Sequence, residues 1–164
     1  MREDLVVGMR SFVGAVASGT IKPSPGELHP DILVHADRPN GEMRLSYALI
    51  RGGEVVAMAT LGEAEPYEGL PCFELNYAVE PTFRGRGLAL EIASAAIDEA
   101  RNGLHRNGVK RWAVEAVIDA DHQASLVVAK RLFQEHPSAP IGNDAGDSDY
   151  QFLHIVDADE QTKV

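Results

Sequence analysis

The spacing of apolar residues changes several times along the chain, and each change predicts a different element. Residues 5–17 repeat apolar side chains at helical intervals and end at Ser18-Gly19, which predicts a first helix. Residues 20–30 contain three prolines and one glycine, so they are predicted to form a loop.

Strand patterns fill the middle of the chain. The segments that predict strands are residues 31–35, 43–50, 54–61 and 72–79. Gly52-Gly53 lies between the second and third of them, which is a hairpin signal, and Asn40-Gly41 marks a turn before both. In the strand predicted over residues 72–79, apolar and other side chains alternate, so its two faces differ chemically. One face has Phe73, Leu75, Tyr77 and Val79, and the other has Cys72, Glu74, Asn76 and Ala78.

The pattern becomes helical again from about residue 86. Arg106 followed by Asn107-Gly108 predicts the end of this helix. A strand over residues 111–118 follows, and then a helix that Asp121 would cap and that runs to about residue 133. Residues 136–149 are predicted to be a polar loop with a short strand near residues 139–141, and residues 150–156 a last strand. The apolar stripe of the long helix consists of Ile92, Ala93, Ala96, Ile97, Ala100 and Leu104.

This order of elements predicts an α/β fold with an antiparallel front half, instead of a repeated βαβ array. At 164 residues and 17.7 kDa the chain is expected to form one domain over residues 1–164. Within that domain, residues 1–30 are predicted to form an amino-terminal helix and loop, and residues 157–164 a frayed tail.

Charge and cysteine content narrow the functional classes. With 15 basic and 25 acidic residues, the formal net charge is −10, which disfavours nonspecific binding to nucleic acid or to an anionic membrane and is compatible with a cationic substrate. A single cysteine, Cys72, excludes an intrachain disulfide and suits a reducing cytosol. The amino terminus matches neither a secretory signal nor a membrane span, so we expect a cytoplasmic protein.

Arg84-Gly85-Arg86-Gly87, between the alternating strand and the long helix, has two interpretations. It is either a tight structural turn with two solvated arginines or an anion cradle, because a helix amino terminus offers unpaired N–H groups and glycines let an anion approach them. A dinucleotide fingerprint would need glycine where Leu90 stands, and no P-loop spacing is present.

The six residues from Arg84 to Ala89 resemble the acyl-CoA signature of the GNAT family of N-acetyltransferases: an Arg or Gln, two variable residues, Gly, one variable residue, and Gly or Ala. The surrounding stretch FELNYAVEPTFRGRGLALEI is similar to the branch that contains the ribosomal-protein-alanine N-acetyltransferases. The similarity continues through residues 112–118 and through HQASLVVAKRL, and it covers about residues 43–133.

The resemblance implies a mixed, largely antiparallel sheet of six to seven strands with helices on both faces, splayed open after the strand over residues 72–79. Acetyl-CoA would be the co-substrate, with no metal. Its pyrophosphate would lie on the backbone of Arg84, Gly85, Arg86, Gly87, Leu88 and Ala89. Its pantetheine arm would pair with Tyr77, Ala78 and Val79, and His122 and Ser125 would complete the binding site.

Some positions depart from the family pattern. The family's asparagine before the last helix is His122, and the tyrosine that often protonates the departing thiolate seven residues later is Ala129. Ser125 corresponds to a serine suggested to replace that tyrosine in the ribosomal branch. The family's first strand and paired helices are replaced by a helix and a proline-rich loop.

Glu74 is the predicted general base, because it matches the family's strand glutamate ten residues before Arg84. Five strand steps separate it from Val79, roughly 17 Å at ~3.3 Å per residue, which is about the reach of a pantetheine arm. As a residue among Cys72, Asn76 and Ala78, it could equally be a solvated or salt-bridged surface residue.

The expected activity is acetyl transfer to a primary amine, on a protein N-terminus or a small molecule, by direct transfer in a ternary complex. A non-catalytic acyl-CoA-binding sensor or partner module is the alternative, and a homodimer stays open. The histidines show no metal-ligand spacing, and a nucleophilic Cys72 is a weak alternative.

Overall fold

A computed structural model describes residues 2–119, 121–133, 141–142 and 148–158. The helices are α1 (Arg2–Ala17), α2 (Leu88–Arg106) and α3 (Gln123–Phe133). The strands are β1 (Ser24–Pro25), β2 (Ile32–Asp37), β3 (Arg44–Arg51), β4 (Glu54–Tyr67), β5 (Leu70–Val79), β6 (Arg111–Asp119), β7 (Ile141–Gly142) and β8 (Ser148–Asp157). Short 3-10 turns lie at Pro39–Gly41 and Pro81–Phe83.

The described strands form one mixed sheet in the order β1-β2-β3-β4-β5-β6-β8-β7. Every neighbouring pair is antiparallel except β5 and β6. This arrangement confirms the α/β, largely antiparallel layout. The sheet has eight strands where six to seven were expected, because β1 and β7 are two-residue strands at its edges.

Helices cover both faces of the sheet, as expected. The apolar stripe of α2 is buried together with Leu126, Ala129 and Phe133 of α3 and the larger core side chains of the sheet. On the other face, α1 packs Val6, Met9 and Phe12 against Ala48 and Met58. Among the described residues, no helix is long and apolar enough to cross a bilayer.

A wedge-shaped gap opens between β5 and β6. The two strands pair only at Cys72–Ala113, Phe73–Val114 and Glu74–Glu115. Beyond this point β5 stays paired with β4 as far as Val79, and β6 stays paired with β8 as far as Asp119. The sheet was expected to splay open after the strand over residues 72–79, and the gap between β5 and β6 confirms this. The two strands part after Glu74, and each continues along its other neighbour.

Two parts of the chain differ most from the sequence prediction. The strand predicted over residues 54–61 continues to Tyr67, because residues 62–64 remain in register with β5 although their pattern is polar. The loop predicted over residues 20–30 contains the two-residue strand β1. Much of the loop over residues 136–149 and most of the tail lie outside the described residues.

Candidate functional site

A cavity of about 350 Å³ lies at the gap between β5 and β6. It is lined by residues from four places in the chain: α1, the end of β5, the glycine turn with the start of α2, and α3. Nine of the predicted binding residues line it, namely Tyr77, Ala78, Val79, Arg84, Gly85, Gly87, Leu88, Ala89 and Ser125. Glu74, Arg86 and His122, which were also predicted, are not among the lining residues.

The glycine turn presents a row of backbone donors to this cavity. Gly85 and Gly87 have φ values of 80° and 75°, a left-handed conformation that glycine adopts without strain. Gly87 directly precedes α2, so the first N–H groups of the helix have no acceptor within it. Within the described residues, the N–H groups of residues 85–90 donate no backbone hydrogen bond. The turn therefore has the local geometry of an anion site.

The two arginines of the turn take different positions. Arg84 lines the cavity. The guanidinium of Arg86 lies over the ring of Phe83, 5.4 Å from its centroid, in a cation–π contact. Of the two charged side chains, Arg84 is therefore the one placed to meet an anion in the cavity.

The amino terminus of α3 is organised by His122. The backbone N–H of Ser125 donates to Nδ1 of His122 over 3.2 Å, which makes His122 the N-cap of a helix that begins at Gln123. The prediction that Asp121 caps this helix is wrong, because the helix begins one residue too late for Asp121 to be its N-cap. The bond also requires Nδ1 to be the unprotonated ring nitrogen.

Tyr77 joins the two sides of the gap. Its hydroxyl donates to the backbone carbonyl of Ser125 over 3.3 Å. The bond runs from β5 to the first turn of α3, so it links the strand on one side of the cavity to the helix on the other.

Glu74 lies at the vertex of the gap, in the last residue pair that β5 makes with β6. Its partner in this pair, Glu115, accepts a hydrogen bond from Nε2 of Gln151 over 2.8 Å. Burial, together with the charges of Glu115 and Glu74, raises the pKa of the Cys72 thiol to about 11. Cys72 is therefore a neutral thiol at physiological pH, which argues against a nucleophilic cysteine.

Sequence reasoning missed eight residues that line the cavity: Leu5, Val6, Phe83, Leu90, Ala124, Val127, Val128 and Arg131. Val127 is an apolar side chain with 52% of its surface exposed, and it borders the cavity. The sequence carries one signal for an exposed apolar residue here. Val127 and Val128 are adjacent in an amphipathic helix, so only one of them can lie on its buried face. Leu5 and Val6 carry no such signal.

No group of His, Cys, Asp and Glu side chains within the described ranges has the arrangement needed to hold a metal ion. The cavity instead combines backbone donors and Arg84 at the glycine turn with apolar side chains of α1 and α3, and Arg131 of α3 also lines it. These features fit an elongated ligand that is anionic at one end and apolar along its length.

Three solved structures show the same fold. A ribosomal-protein-alanine N-acetyltransferase from Brucella melitensis is 24% identical, with a TM-score of 0.54, and the match covers 69% of this chain and 69% of that chain. RimL, a ribosomal L7/L12 alpha-N-protein acetyltransferase in complex with coenzyme A, is 20% identical, with a TM-score of 0.54, and the match covers 71% of this chain and 64% of that chain. The putative acetyltransferase yncA from Salmonella typhimurium, with acetyl-CoA, is 25% identical, with a TM-score of 0.50, and the match covers 76% of this chain and 69% of that chain. The chain matches between 64% and 69% of the length of these three proteins.

A comparison with curated proteins finds no match. The family model described as an acetyltransferase (GNAT) domain matches residues 18–132, which is well over half of the chain and includes β5, the glycine turn and almost all of α3. The chain therefore belongs to the GNAT acetyltransferase family.

Proposed function

We propose that the protein is an acetyl-CoA-dependent N-acetyltransferase that transfers an acetyl group to a primary amine by direct transfer in a ternary complex. The observation that carries the proposal is the cavity between β5 and β6, where the glycine turn meets the part of β5 that makes no residue pairs with β6. Family membership and the coenzyme A in RimL support it.

The residues present fit coenzyme A. The N–H groups around Gly85 and Gly87 and the side chain of Arg84 would hold the pyrophosphate. Past Glu74, β5 and β6 make no further residue pairs, and the backbone of β5 from Tyr77 to Val79 would pair with the amides of the pantetheine arm. When bound, acetyl-CoA supplies the activated acetyl group.

The acceptor amine would approach Glu74. Glu74 is half-buried at the point where β5 and β6 part, about 17 Å along the strand from Val79 at ~3.3 Å per residue. The carboxylate of Glu115 in the paired position adds negative charge beside it, which favours a cationic acceptor. The net charge of −10 acts in the same direction over longer distances.

Glu74 then serves as the general base, directly or through a water molecule. An α-amine has a pKa of ~7.7–8.0 and a lysine amine ~10.4, so either acceptor must lose a proton before it attacks. Backbone N–H groups near Ala78 would stabilise the oxyanion, and Ser125, which lines the cavity, would donate a proton to the leaving thiolate.

A non-catalytic acyl-CoA-binding module is the second candidate, because Ala129 stands where many family members have a tyrosine acid. The experiment that separates the two measures thiol release from acetyl-CoA across a panel of peptides with free N-termini, polyamines and amino acids. An enzyme releases thiol with at least one amine class and forms the acetylated product. Tight binding of coenzyme A with no thiol release in the whole panel would contradict the enzyme proposal.

A further inference from the structure

Helix α1 contributes to the cavity although it lies outside the part of the chain that matches the family. The family model begins at residue 18, one residue after α1 ends. Leu5 and Val6 nevertheless line the same cavity as Gly85, Gly87 and Ser125.

Packing and an ion pair hold α1 in this position. Val6, Met9 and Phe12 are buried against the sheet, where Ala78 of β5 also contacts them. One turn after Val6, Arg10 makes two hydrogen bonds to the carboxylate of Glu80, from Nε over 2.9 Å and from Nη2 over 3.1 Å.

The partner of Arg10 is itself fixed to the site. Glu80 directly follows β5, and its N–H donates to the carbonyl of Val56 over 2.9 Å. Only the 3-10 turn Pro81–Phe83 separates it from Arg84 and the glycine turn. The Arg10–Glu80 pair therefore ties α1 to the segment that joins the strand edge to the anion-binding turn.

The walls of the cavity are apolar on two sides. Leu5 and Val6 of α1 form one, and Val127 and Val128 of α3 form the other. The pantetheine arm of coenzyme A carries methylene groups and a gem-dimethyl group between its amides, which match such walls. Ligand burial would remove apolar surface of Leu5 and Val127 from water.

We propose that α1 is a wall of the acyl-CoA site, in which Leu5 and Val6 contact the pantetheine arm and Arg10 and Glu80 are positioning residues that hold the helix there. The inference rests on the proposed function, since it requires the cavity to bind coenzyme A. It goes beyond that function because it assigns a binding role to a helix outside the family match.

The first test compares two apolar residues of the same helix. Leu5 lines the cavity, whereas Val7, two residues later, is 59% exposed and does not. Leu5→Ala is expected to weaken coenzyme A binding about tenfold by calorimetry, and Val7→Ala less than about twofold. Leu5→Met, which keeps an apolar side chain of similar size, should restore most of the affinity. Equal dissociation constants for Leu5→Ala and Val7→Ala would overturn the wall assignment.

The second test concerns the ion pair. Arg10→Ala and Glu80→Ala should each raise the dissociation constant for coenzyme A about two- to fivefold, and the double variant should be no weaker than the single ones. Arg44→Ala is the control, because Arg44 makes the same two-bond pair with Asp37 away from the cavity and should leave the affinity unchanged. Additive losses in the double variant would overturn the positioning role.

Coenzyme A binding by the wild-type protein distinguishes failure of the proposed function from failure of the α1 assignment. If the wild-type protein binds no coenzyme A at millimolar concentration, the proposed function fails and the α1 assignment falls with it. If the wild type binds and the Leu5 and Arg10 variants bind equally well, only the α1 assignment fails.

Discussion

Glu74, the proposed general base, is distinguished by its position on β5. It is on the strand whose far end approaches the anion-binding turn, and it is in the last residue pair before the sheet opens. Its neighbour Glu115 lies at the same level of the sheet, but Gln151 already hydrogen-bonds its carboxylate. The two carboxylates therefore form a natural pair for comparison. They are paired across the two strands, but only Glu74 is on β5, the strand whose end lines the cavity.

Replacing Glu74 by Gln should reduce turnover much more than it weakens coenzyme A binding. Gln keeps the size and hydrogen-bonding reach of Glu but cannot act as a base, so kcat/KM at neutral pH should fall roughly 10²–10⁴-fold. The deficit should shrink as the pH approaches the pKa of the acceptor amine, because the solution then supplies the neutral form. The measurement is kcat/KM against pH for both proteins, with coenzyme A affinity determined separately.

Glu115→Gln is the matched control for this substitution. It removes a neighbouring negative charge without removing the proposed base, so its kcat/KM should change far less and without the recovery at high pH. Equal rates for Glu74→Gln and the wild type at neutral pH would contradict the role of Glu74 as the base.

At the level of single residues, the sequence predicted positions better than roles. Tyr77, Gly85 and Gly87 all line the cavity, because the motif fixes their spacing along the chain. The capping function of His122 was missed because Asp is a common capping residue and an imidazole nitrogen is a rarer acceptor. The stacking of Arg86 on Phe83 depends on side-chain conformations that spacing does not determine.

At the level of elements, α2 has a second function that its apolar stripe did not predict. Glu99 is only 7% exposed, and its carboxylate accepts hydrogen bonds from the N–H groups of Glu27, Leu28 and His29, over 3.1, 2.6 and 2.7 Å. The loop that precedes β2 is thereby attached to the helix. Gly26 leaves room for this contact, since an added Cβ atom would lie 2.7 Å from Oε1 of Glu99.

Replacing Glu99 by Ala should therefore destabilise the protein more than an ordinary surface substitution. Three backbone donors would lose their acceptor, which we expect to lower the free energy of unfolding by about 2–4 kcal/mol. Urea denaturation measures the difference. Glu91→Ala on the same helix is the control, because exposed Glu91 pairs with exposed Arg51 and should cost less than about 1 kcal/mol. Equal losses for the two variants would contradict the anchoring role of Glu99.

The sequence could not reveal this anchor, because a glutamate in a helix is exposed in most proteins and its three donors lie about 70 residues earlier in the chain. The helix and strand types, in contrast, follow from local periodicity. The apolar stripe of α2 is buried as predicted, and the hairpin at Gly52-Gly53 joins β3 to β4 as predicted. Local patterns thus predicted the elements, but they could not predict the long-range polar contacts between them.

At the level of the whole molecule, the amino-terminal helix α1, which departs from the family pattern, has a defined place on the sheet. Residues 38–43 connect β2 directly to β3, and α1, which precedes both strands, packs on the sheet face opposite α2. The sequence predicted that the amino-terminal helix departs from the family pattern. It could not place that helix beside the cavity, because the residues it covers, Ala48, Met58 and Ala78, lie in three separate strands.

Coenzyme A binding should stabilise the whole domain. A ligand at 100 times its dissociation constant adds about 2.7 kcal/mol to the stability of the native state. For a protein of this size that corresponds to a rise in Tm of roughly 5–10 °C. Gly87→Val should abolish the rise, because a β-branched side chain at φ 75° is strained and would occupy open space at the cavity that Gly87 lines.

Gly108→Val separates the loss of the site from backbone strain. Gly108 has a φ of 87° and, like Gly87, open space around an added Cβ atom, but it lies beyond the opposite end of α2. Both variants should lower the Tm of the free protein by similar amounts, since both force valine into the left-handed region. Only Gly108→Val should then keep the full increase in Tm with coenzyme A, measured by differential scanning calorimetry. An undiminished increase in Gly87→Val would mean that the turn is structural and that the anion binds elsewhere.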